Sequence, residues 1–264
     1  MKYLFNNARN CLRIFLRNAG IEELWVPYEL CPVVFKAAKA ESVNLKFYHI
    51  DKNFVPSPLF PHNAFILYPN YFGVCDSIAR ALAEKYPNLI YDAAHSFFSE
   101  PLGVATIYSA RKFFPVADGG ILVTQRQINT DFTKENDSED FSTDPYNFEY
   151  EKFLKNELRF ERNSEIKLIS DKSRTRLSEI DFNAEKLERT KNFWRLHEKF
   201  APYNELRFTT DITAPMVYPL KMRNAKINND ILILKYNYMK DIIPLPLKMA
   251  GDLPAIQKLF TNII

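Results

Sequence analysis

Short apolar segments alternate with amphipathic ones over the first 125 residues, and this alternation restricts the folds open to the chain. Helical spacing of apolar residues separates several of the segments, most clearly over 75–86. Strands that alternate with helices predict a layered α/β domain with a mostly parallel sheet. The segments with the length and composition of buried strands are 24–26, 45–49, 64–68, 89–91, 104–108 and 121–124.

A helix is predicted near the start of the chain. Apolar side chains recur at i, i+3, i+4 and i+7 from Leu12 to Ala19, and Gly20 follows where a helix commonly ends. The helix should therefore begin between Asn7 and Asn10.

The balance of charge argues against a polyanionic partner. The chain has 264 residues, of which 35 are basic and 32 acidic, and a net charge of +3. The charges are mixed along the chain, so they create no field strong enough to favour nucleic acid or an anionic membrane. A small molecule is the expected partner.

The cysteines and the apolar runs indicate a cytoplasmic protein. Cys11, Cys31 and Cys75 are odd in number and widely spaced, so neither a disulfide framework nor a zinc site is expected. Residues 1–9 lack the apolar core of a signal peptide, and no apolar run approaches the ~18 residues that span a bilayer. We therefore expect a cytoplasmic protein with no metal and no membrane association.

An acid and a lysine carry the chemistry that the sequence predicts. Asp92 follows the apolar residues 89–91 at a strand end, and Lys112 stands twenty positions later, after the next strand. A buried carboxylate needs a cationic partner, which a protonated pyridine nitrogen would supply. The pair therefore predicts a pyridoxal phosphate (PLP) site, in which Asp92 faces the ring nitrogen. Lys112 would form the Schiff base and later move the substrate's α-proton.

The phosphate of such a cofactor would lie at the first helix. The chain has 6 glycines and no glycine-rich phosphate loop. Free amides and the helix dipole at residues 7–10 would attract phosphate instead, with Arg9 adding a charge and Ser109 a hydroxyl. Arg111 is interpreted as a surface salt bridge or a phosphate contact rather than a catalytic residue. His95 would either hydrogen-bond the ring hydroxyl of the cofactor or be satisfied by backbone, and its spacing leaves both open.

The second half of the chain has a different pattern. Residues 129–144 are polar and acidic, which predicts a solvated linker or mobile loop rather than an acidic binding site. We predict a large domain over 1–128 and a small C-terminal α+β domain over 129–264. The later segments are assigned as long charged helices over 150–170 and 183–200, strands over 216–222 and 242–247, and a closing helix over 253–263.

Several segments occur in the order and spacing of a known enzyme family. They are Asn7-Ala8-Arg9-Asn10-Cys11-Leu12, Asn70-Tyr71-Phe72-Gly73, Asp92-Ala93-Ala94-His95-Ser96, Ser109-Ala110-Arg111-Lys112-Phe113-Phe114 and Asp118-Gly119-Gly120. This series resembles the DegT/DnrJ sugar aminotransferase family of fold-type I PLP enzymes. A weaker similarity continues through Arg174-Thr175-Arg176-Leu177-Ser178-Glu179 and residues 243–247.

The resemblance implies a three-layer α/β/α PLP-dependent transferase-like fold. Family members are homodimers with shared active sites, and Arg174 would reach the cofactor phosphate of the partner subunit. Members transfer an amino group, usually from glutamate, to a keto sugar carried on a nucleotide, for surface polysaccharide or antibiotic building blocks. The catalytic residues would be Lys112, Asp92 and His95, and the cofactor-binding residues Ala8, Arg9, Asp92, His95, Ser109, Lys112 and Arg174.

The chain departs from the family pattern in three ways. Members usually carry an arm before the phosphate-binding helix, whereas this chain reaches that helix almost at Met1. Cys31 stands where many members have a phenylalanine stacked on the cofactor ring, and Ser109 is closer to Lys112 than the usual phosphate serine. Three hypotheses follow: an active PLP aminotransferase acting on a keto sugar, a non-catalytic homologue that serves as a binding or partner subunit, and a PLP-dependent sugar dehydratase.

Overall fold

An eight-stranded sheet lies at the centre of the first half of the molecule. The computed structural model describes residues 1–57, 59–142, 147–163, 165–222, 239, 241–252, 254 and 256. The strands of this sheet are β1 (Lys2–Phe5), β2 (Glu23–Pro27), β3 (Asn44–Ile50), β4 (Pro56–Ser57), β5 (Ile66–Pro69), β6 (Leu89–Ala93), β7 (Ala105–Ser109) and β8 (Gly120–Thr124). They lie in the order β1-β8-β7-β6-β5-β2-β3-β4. The pairs among β2, β3, β5, β6 and β7 are parallel, whereas β8 and β4 run antiparallel to their neighbours.

Helices cover both faces of this sheet. The helices are α1 (Ala8–Ala19), α2 (Pro32–Ala40), α3 (Asp76–Lys85), α4 (Tyr150–Arg162), α5 (Asp171–Ser178) and α6 (Phe182–Phe200). Phe15 of α1 and Ala38 of α2 share one buried core with Leu67 of the sheet. Ala79 of α3 lies in the core on the other side, with Tyr91. The predicted three-layer α/β/α arrangement with a mostly parallel sheet is therefore confirmed.

The first helix begins and ends as its sequence predicts. The side-chain oxygen of Asn7 accepts a hydrogen bond from the backbone N–H of Asn10 at 2.9 Å, an N-cap that contributes about 1 kcal/mol. Gly20 adopts a left-handed conformation, with φ of 62°, and ends the helix. The cap fixes the position of the first turn, whose remaining free amides are available to a ligand.

Gly120 allows the start of α1 to approach β8. A Cβ atom at this position would lie 2.3 Å from the carbonyl carbon of Asn7, which is backbone and cannot swing aside. We expect Gly120→Ala to lower the free energy of unfolding by about 3 kcal/mol, as overpacking at a rigid contact does. Gly251→Ala is the matched control, because its nearest neighbour is the flexible end of Arg195 at 3.8 Å. Urea unfolding of the two variants measures the difference, and equal stability would contradict the contact.

A second, smaller sheet forms in the later part of the chain. It consists of β9 (Val217–Leu220) and β10 (Ile243–Pro246), which pair antiparallel. Phe193 and Leu196 of α6 pack in one core with residues of both strands. These strands and α6 confirm the predictions over 216–222, 242–247 and 183–200. The division into domains at residue 128 stays a prediction.

One prediction for the second half is wrong, and another holds only in part. The helix expected over 150–170 ends at Arg162, because residues 166–169 return to the edge of the large sheet, where Leu168 forms an isolated bridge with Phe5. Most described residues of the segment expected to be a solvated linker, 129–144, are exposed as predicted, but Glu135 within it is 1% exposed. Its carboxylate accepts hydrogen bonds from Asn6 at 3.0 Å and from Arg159 at 2.7 Å. Long-range ion pairing therefore holds a segment whose composition suggests solvation.

Other predictions concern features outside the described residues or absent from them. The expected closing helix over 253–263 lies outside the described residues, apart from Pro254 and Ile256. Across the described residues, no helix combines the length and apolar character needed to cross a bilayer. The described residues also contain no group of three or more His, Cys, Asp or Glu side chains placed to bind a metal ion.

Candidate active site

A cavity of about 420 Å³ opens at the carboxyl ends of β5, β6 and β7, next to the first turn of α1. This is the position at which ligands bind in open α/β sheets. Six of the seven residues predicted to bind the cofactor line its wall: Ala8, Arg9, Asp92, His95, Ser109 and Lys112. The structure therefore brings together side chains that are separated by up to about a hundred positions in the sequence.

Asp92 lies near the end of β6, between β5 and β7. It is paired in register with Pro69 and Ile107, and its Oδ1 accepts a hydrogen bond from the N–H of Ala94 at 3.0 Å. Burial raises the pKa of Asp92, and the positive charge of Lys112 and the Ala94 amide offset part of that effect. A carboxylate in this setting is stabilised by an additional cation.

Lys112 lies at the end of the 3₁₀ turn Ala110–Lys112, directly after β7. Its side chain is accessible from the cavity, and within the described part of the chain no hydrogen bond or ion pair holds its Nζ. Burial lowers the pKa of Lys112, while nearby Cys31 and Asp92 act in the opposite direction. A larger fraction of Lys112 is therefore the neutral, nucleophilic amine near neutral pH than for a solvated lysine.

The lowered pKa of Lys112 predicts its reactivity. We expect acylation of Lys112 to reach half its maximal rate at a lower pH than acylation of Lys152, whose pKa is raised by its contact with Glu149. Competitive labelling across a pH series, read by peptide mass spectrometry, gives both midpoints. Asp92→Asn should move the Lys112 midpoint lower still, because Asp92 favours the charged amine. A Lys112 midpoint at or above that of Lys152 would contradict the described environment.

His95 is held by a strained turn of the backbone. Its Nδ1 accepts a hydrogen bond from the N–H of Phe72 at 3.3 Å, so a neutral ring would carry its proton on Nε2. Phe72 has a φ of 60°, which is costly for a bulky residue, and Gly73 lies where a Cβ would be 2.2 Å from the carbonyl oxygen of His95. Burial, followed by the charge of Lys112, lowers the pKa of His95 well below its usual value. His95 is therefore neutral in this site, and the backbone contact that its spacing allowed is present.

The phosphate end of the predicted site lies between α1 and β7. Ala8 and Arg9 form the first turn of α1 on the cavity wall. Ser109, the last residue of β7, is buried, pairs with Gly120 and also lines the cavity. Amide groups at a helix start and a nearby hydroxyl are ligands that phosphate commonly has in proteins.

A carboxylate that the sequence analysis missed joins the two arginines of the site. Glu157 on α4 contacts Arg9 Nη2 with Oε2 and Arg111 Nη1 with Oε1, each at 2.8 Å. Burial opposes ionisation of Glu157, yet Arg111 and Arg9 together hold its pKa below the usual value. Arg111 is 6% exposed and lies 4.8 Å from the ring centroid of Phe160, so its predicted salt bridge is present but is not at the surface, although Glu157 is only half-buried. The alternative, a phosphate contact of Arg111, stays a prediction.

The rest of the wall comes from the second half of the chain, which the sequence analysis did not assign to the site. Phe141, Phe148 and Phe153 provide an aromatic side. Arg189 of α6 binds Glu185 at 2.7 Å and donates to the carbonyl oxygen of Phe113 at 3.1 Å. The spacing of Phe153 and Phe160 on α4 could have indicated a role for Glu157. Glu157 stands four residues after Phe153 and three before Phe160, so it lies on the same side of the helix as these two apolar rings.

Arg174 is the predicted site residue that does not reach this cavity. It is exposed on α5 and is not part of the cavity wall. Its role in the site of a partner subunit stays a prediction.

The donors present fit PLP. Lys112 offers an unpartnered amine for the aldehyde, Asp92 a half-buried carboxylate for the ring nitrogen, and the first turn of α1 with Ser109 a set of phosphate ligands. His95 lies on the same wall as a neutral imidazole.

Comparison with solved structures identifies the architecture. NtdA from Bacillus subtilis, solved with bound pyridoxamine phosphate (PMP), superposes with a TM-score of 0.62 at 14% identity, covering 98% of this chain and 72% of its own. Spr1654 from Streptococcus pneumoniae, assigned as a sugar aminotransferase and solved in its PMP form, gives a TM-score of 0.60 at 14% identity, covering 93% and 81%. The chain has the fold of the sugar aminotransferases.

The sugar aminotransferase fold is also shared with a DegT/DnrJ/EryC1/StrS aminotransferase from Brucella abortus. That structure gives a TM-score of 0.52 at 15% identity and covers 96% of this chain and 78% of its own. No protein-family model matches the sequence, and no curated protein sequence matches it significantly. The fold that the resemblance implied is thus confirmed, and the chemistry has to be argued from the residues of this chain.

Proposed function

We propose that the protein is a PLP-dependent aminotransferase of the DegT/DnrJ type. It would move an amino group, with glutamate as donor, to a keto sugar carried on a nucleotide, for surface polysaccharide or a related product. The observation that carries the proposal is the pairing of Asp92 and Lys112 on one cavity wall, with Lys112 unpartnered and its pKa lowered. A solvated lysine can also lack a protein partner, but its pKa is not lowered, so the lowered pKa beside Asp92 is the feature that sets Lys112 apart.

Each residue of the site would have a defined task. The cofactor, when bound, supplies an electron sink for the negative charge left after loss of the substrate's α-proton. Asp92 would keep the ring nitrogen protonated, and Lys112 would attach the cofactor and then carry the proton between carbon atoms. Neutral His95 would position the ring by hydrogen bonding. Ala8, Arg9 and Ser109 would bind the phosphate.

The walls of the cavity support a reaction that needs water excluded. The rings of Phe141, Phe148 and Phe153 line one side. A low-dielectric wall strengthens the attraction between Asp92 and a cationic ring. We also propose that the protein acts in the cytoplasm as a homodimer, in which Arg174 reaches the phosphate of the partner's cofactor.

Titration of the purified protein with PLP tests the proposal. A visible absorption band should form, and glutamate should bleach it as the cofactor is converted to its amino form. The product of a full turnover should retain nitrogen, whereas the dehydratase hypothesis predicts a product without it. No band at saturating PLP would overturn the proposal.

One observation favours the non-catalytic homologue as a second candidate. Glu157 already neutralises part of the charge of Arg9 and Arg111 at the phosphate end of the cavity. This would weaken cofactor binding relative to a site with two unpaired arginines. A band that forms with PLP but never responds to glutamate or any other amino donor supports that second candidate. Light scattering of the PLP-loaded protein separately tests the homodimer, and a monomer would exclude the proposed role of Arg174.

A further inference from the structure

The phosphate end of the cavity contains an unusual ion triad. One carboxylate, Glu157, bridges two arginines that come from different elements, α1 and the turn after β7. All three side chains line the cavity. Two guanidinium groups converging on a single small anion are the arrangement that proteins use to bind phosphate, whose oxygens accept the same charge-assisted hydrogen bonds.

The triad has one more positive group than negative groups. Two guanidinium groups and one carboxylate sum to a net positive charge. Within the described residues, Nε and Nη2 of Arg111 have no hydrogen-bond partner, although Arg111 is 6% exposed. Unpaired donors on a buried cation are costly, so a further oxyanion that reached this site would be stabilised.

Arg159 shows what distinguishes this triad from an ordinary buried pair. Its Nε and Nη2 also lack partners, and it likewise stacks on Phe160, at 4.7 Å, and binds a buried carboxylate, Glu135. Arg159 and Glu135 do not line the cavity, however. Access from the cavity through Glu157 and Arg9, rather than the unpaired donors alone, is what makes the Arg111 triad a ligand site.

We propose that Arg9 and Arg111 form an anion-binding pair in which Glu157 holds the place of a ligand's phosphate. An incoming phosphate shares or takes over the contacts of Glu157 and gives Arg111 additional acceptors. Because carboxylate and phosphate repel each other, Glu157 weakens phosphate binding and makes the bound ligand easier to exchange. The identity of the ligand as the cofactor phosphate rests on the proposed function, whereas the anion site itself does not.

The test is the affinity of Glu157→Gln for inorganic phosphate, measured by calorimetry without any cofactor. Removing one like charge should tighten binding about tenfold, the change that corresponds to one unit of pKa-scale interaction. Affinity for PLP should rise by a similar factor, and affinity for pyridoxal, which lacks the phosphate, should not change. A gain for a nucleoside diphosphate but not for PLP would assign the site to the substrate and overturn the cofactor assignment.

Two further variants test whether the change in phosphate affinity comes from the triad. Glu135→Gln removes a more deeply buried carboxylate, which binds Arg159 outside the cavity, and should leave phosphate affinity unchanged. Arg111→Lys keeps one charge but loses the planar donors, and should weaken phosphate binding about tenfold. Unchanged or weaker phosphate binding in Glu157→Gln would overturn the inference even if the PLP band forms. Tighter phosphate binding without any PLP band would instead overturn the proposed function and leave the anion site standing.

Discussion

Lys112→Ala should abolish the visible absorption band of the PLP-loaded protein and reduce turnover at least about 10³-fold. The side chain would supply both the covalent link and the proton carrier, and proton transfer by one positioned group is alone worth about 10²–10⁴-fold. Absorbance after PLP addition and gel filtration, followed by a glutamate half-reaction, measures both losses. The effect on folding should be small, because the Nζ of Lys112 makes no hydrogen bond with the described residues.

Lys248 provides the matched control for this substitution. It lines the same cavity but follows β10, far from Asp92 in the sequence. Lys248→Ala should keep the band at full intensity. If Lys112→Ala retained the band and Lys248→Ala lost it, the covalent lysine would be the wrong one and the proposed roles of Asp92 and His95 would fail with it.

Asp92→Asn should have the second largest effect, a loss of about 10²–10³-fold in kcat with the band retained. The amide has the shape of the carboxylate but no charge, so it cannot keep the ring nitrogen protonated when negative charge develops on the cofactor. Losses of this size are typical when a preorganised electrostatic contact to a reacting group is removed. The readouts are single-turnover kinetics with glutamate and the PLP affinity.

The control for Asp92→Asn is Asp76→Asn. Asp76 accepts a hydrogen bond from Tyr91 at 3.0 Å in the same region of the sheet, but it is not part of the cavity wall. Its loss should change stability and leave kcat within about twofold, as is usual for a group outside the reacting centre. Equal losses of kcat in both variants would mean that Asp92 acts through the fold rather than through the cofactor.

Local patterns were sufficient to predict most of the fold. The strand runs and the spacing of α1 and α3 are properties of neighbouring residues, so the sequence contains them. The predicted end of α4 was wrong because residues 166–169 pair with Phe5 and Asn6, more than 150 positions away. The short β1 was not predicted, since four residues carry too weak a pattern until β8 is known to lie beside them.

The part of the candidate site that lies at the ends of strands could be predicted from the sequence. Asp92 and Lys112 follow neighbouring apolar strands, so parallel topology alone places them on one edge of the sheet. Phe141 belongs to the segment predicted to be solvated, whereas Phe153 and Glu157 lie on a helix for which the sequence predicted only length and charge. Their contribution depends on how α4 packs against α1, a long-range arrangement that charge patterning in one sequence does not encode.

The pairing of β1 with β8 sets the order in which this site can assemble. Lys2 lies opposite Val123 and Phe5 opposite Gly120, so the sheet edge beside the first turn of α1 closes a loop of more than a hundred residues. Closing such a loop costs entropy before its contacts are gained, and chains dominated by distant pairings fold slowly. Asp92 and Lys112 can take their positions as soon as β5, β6 and β7 have formed. The phosphate-binding part of the site, beside α1, forms only after β1 has paired with β8. During refolding, the residues that bind the cofactor ring should therefore be in place before those that bind its phosphate.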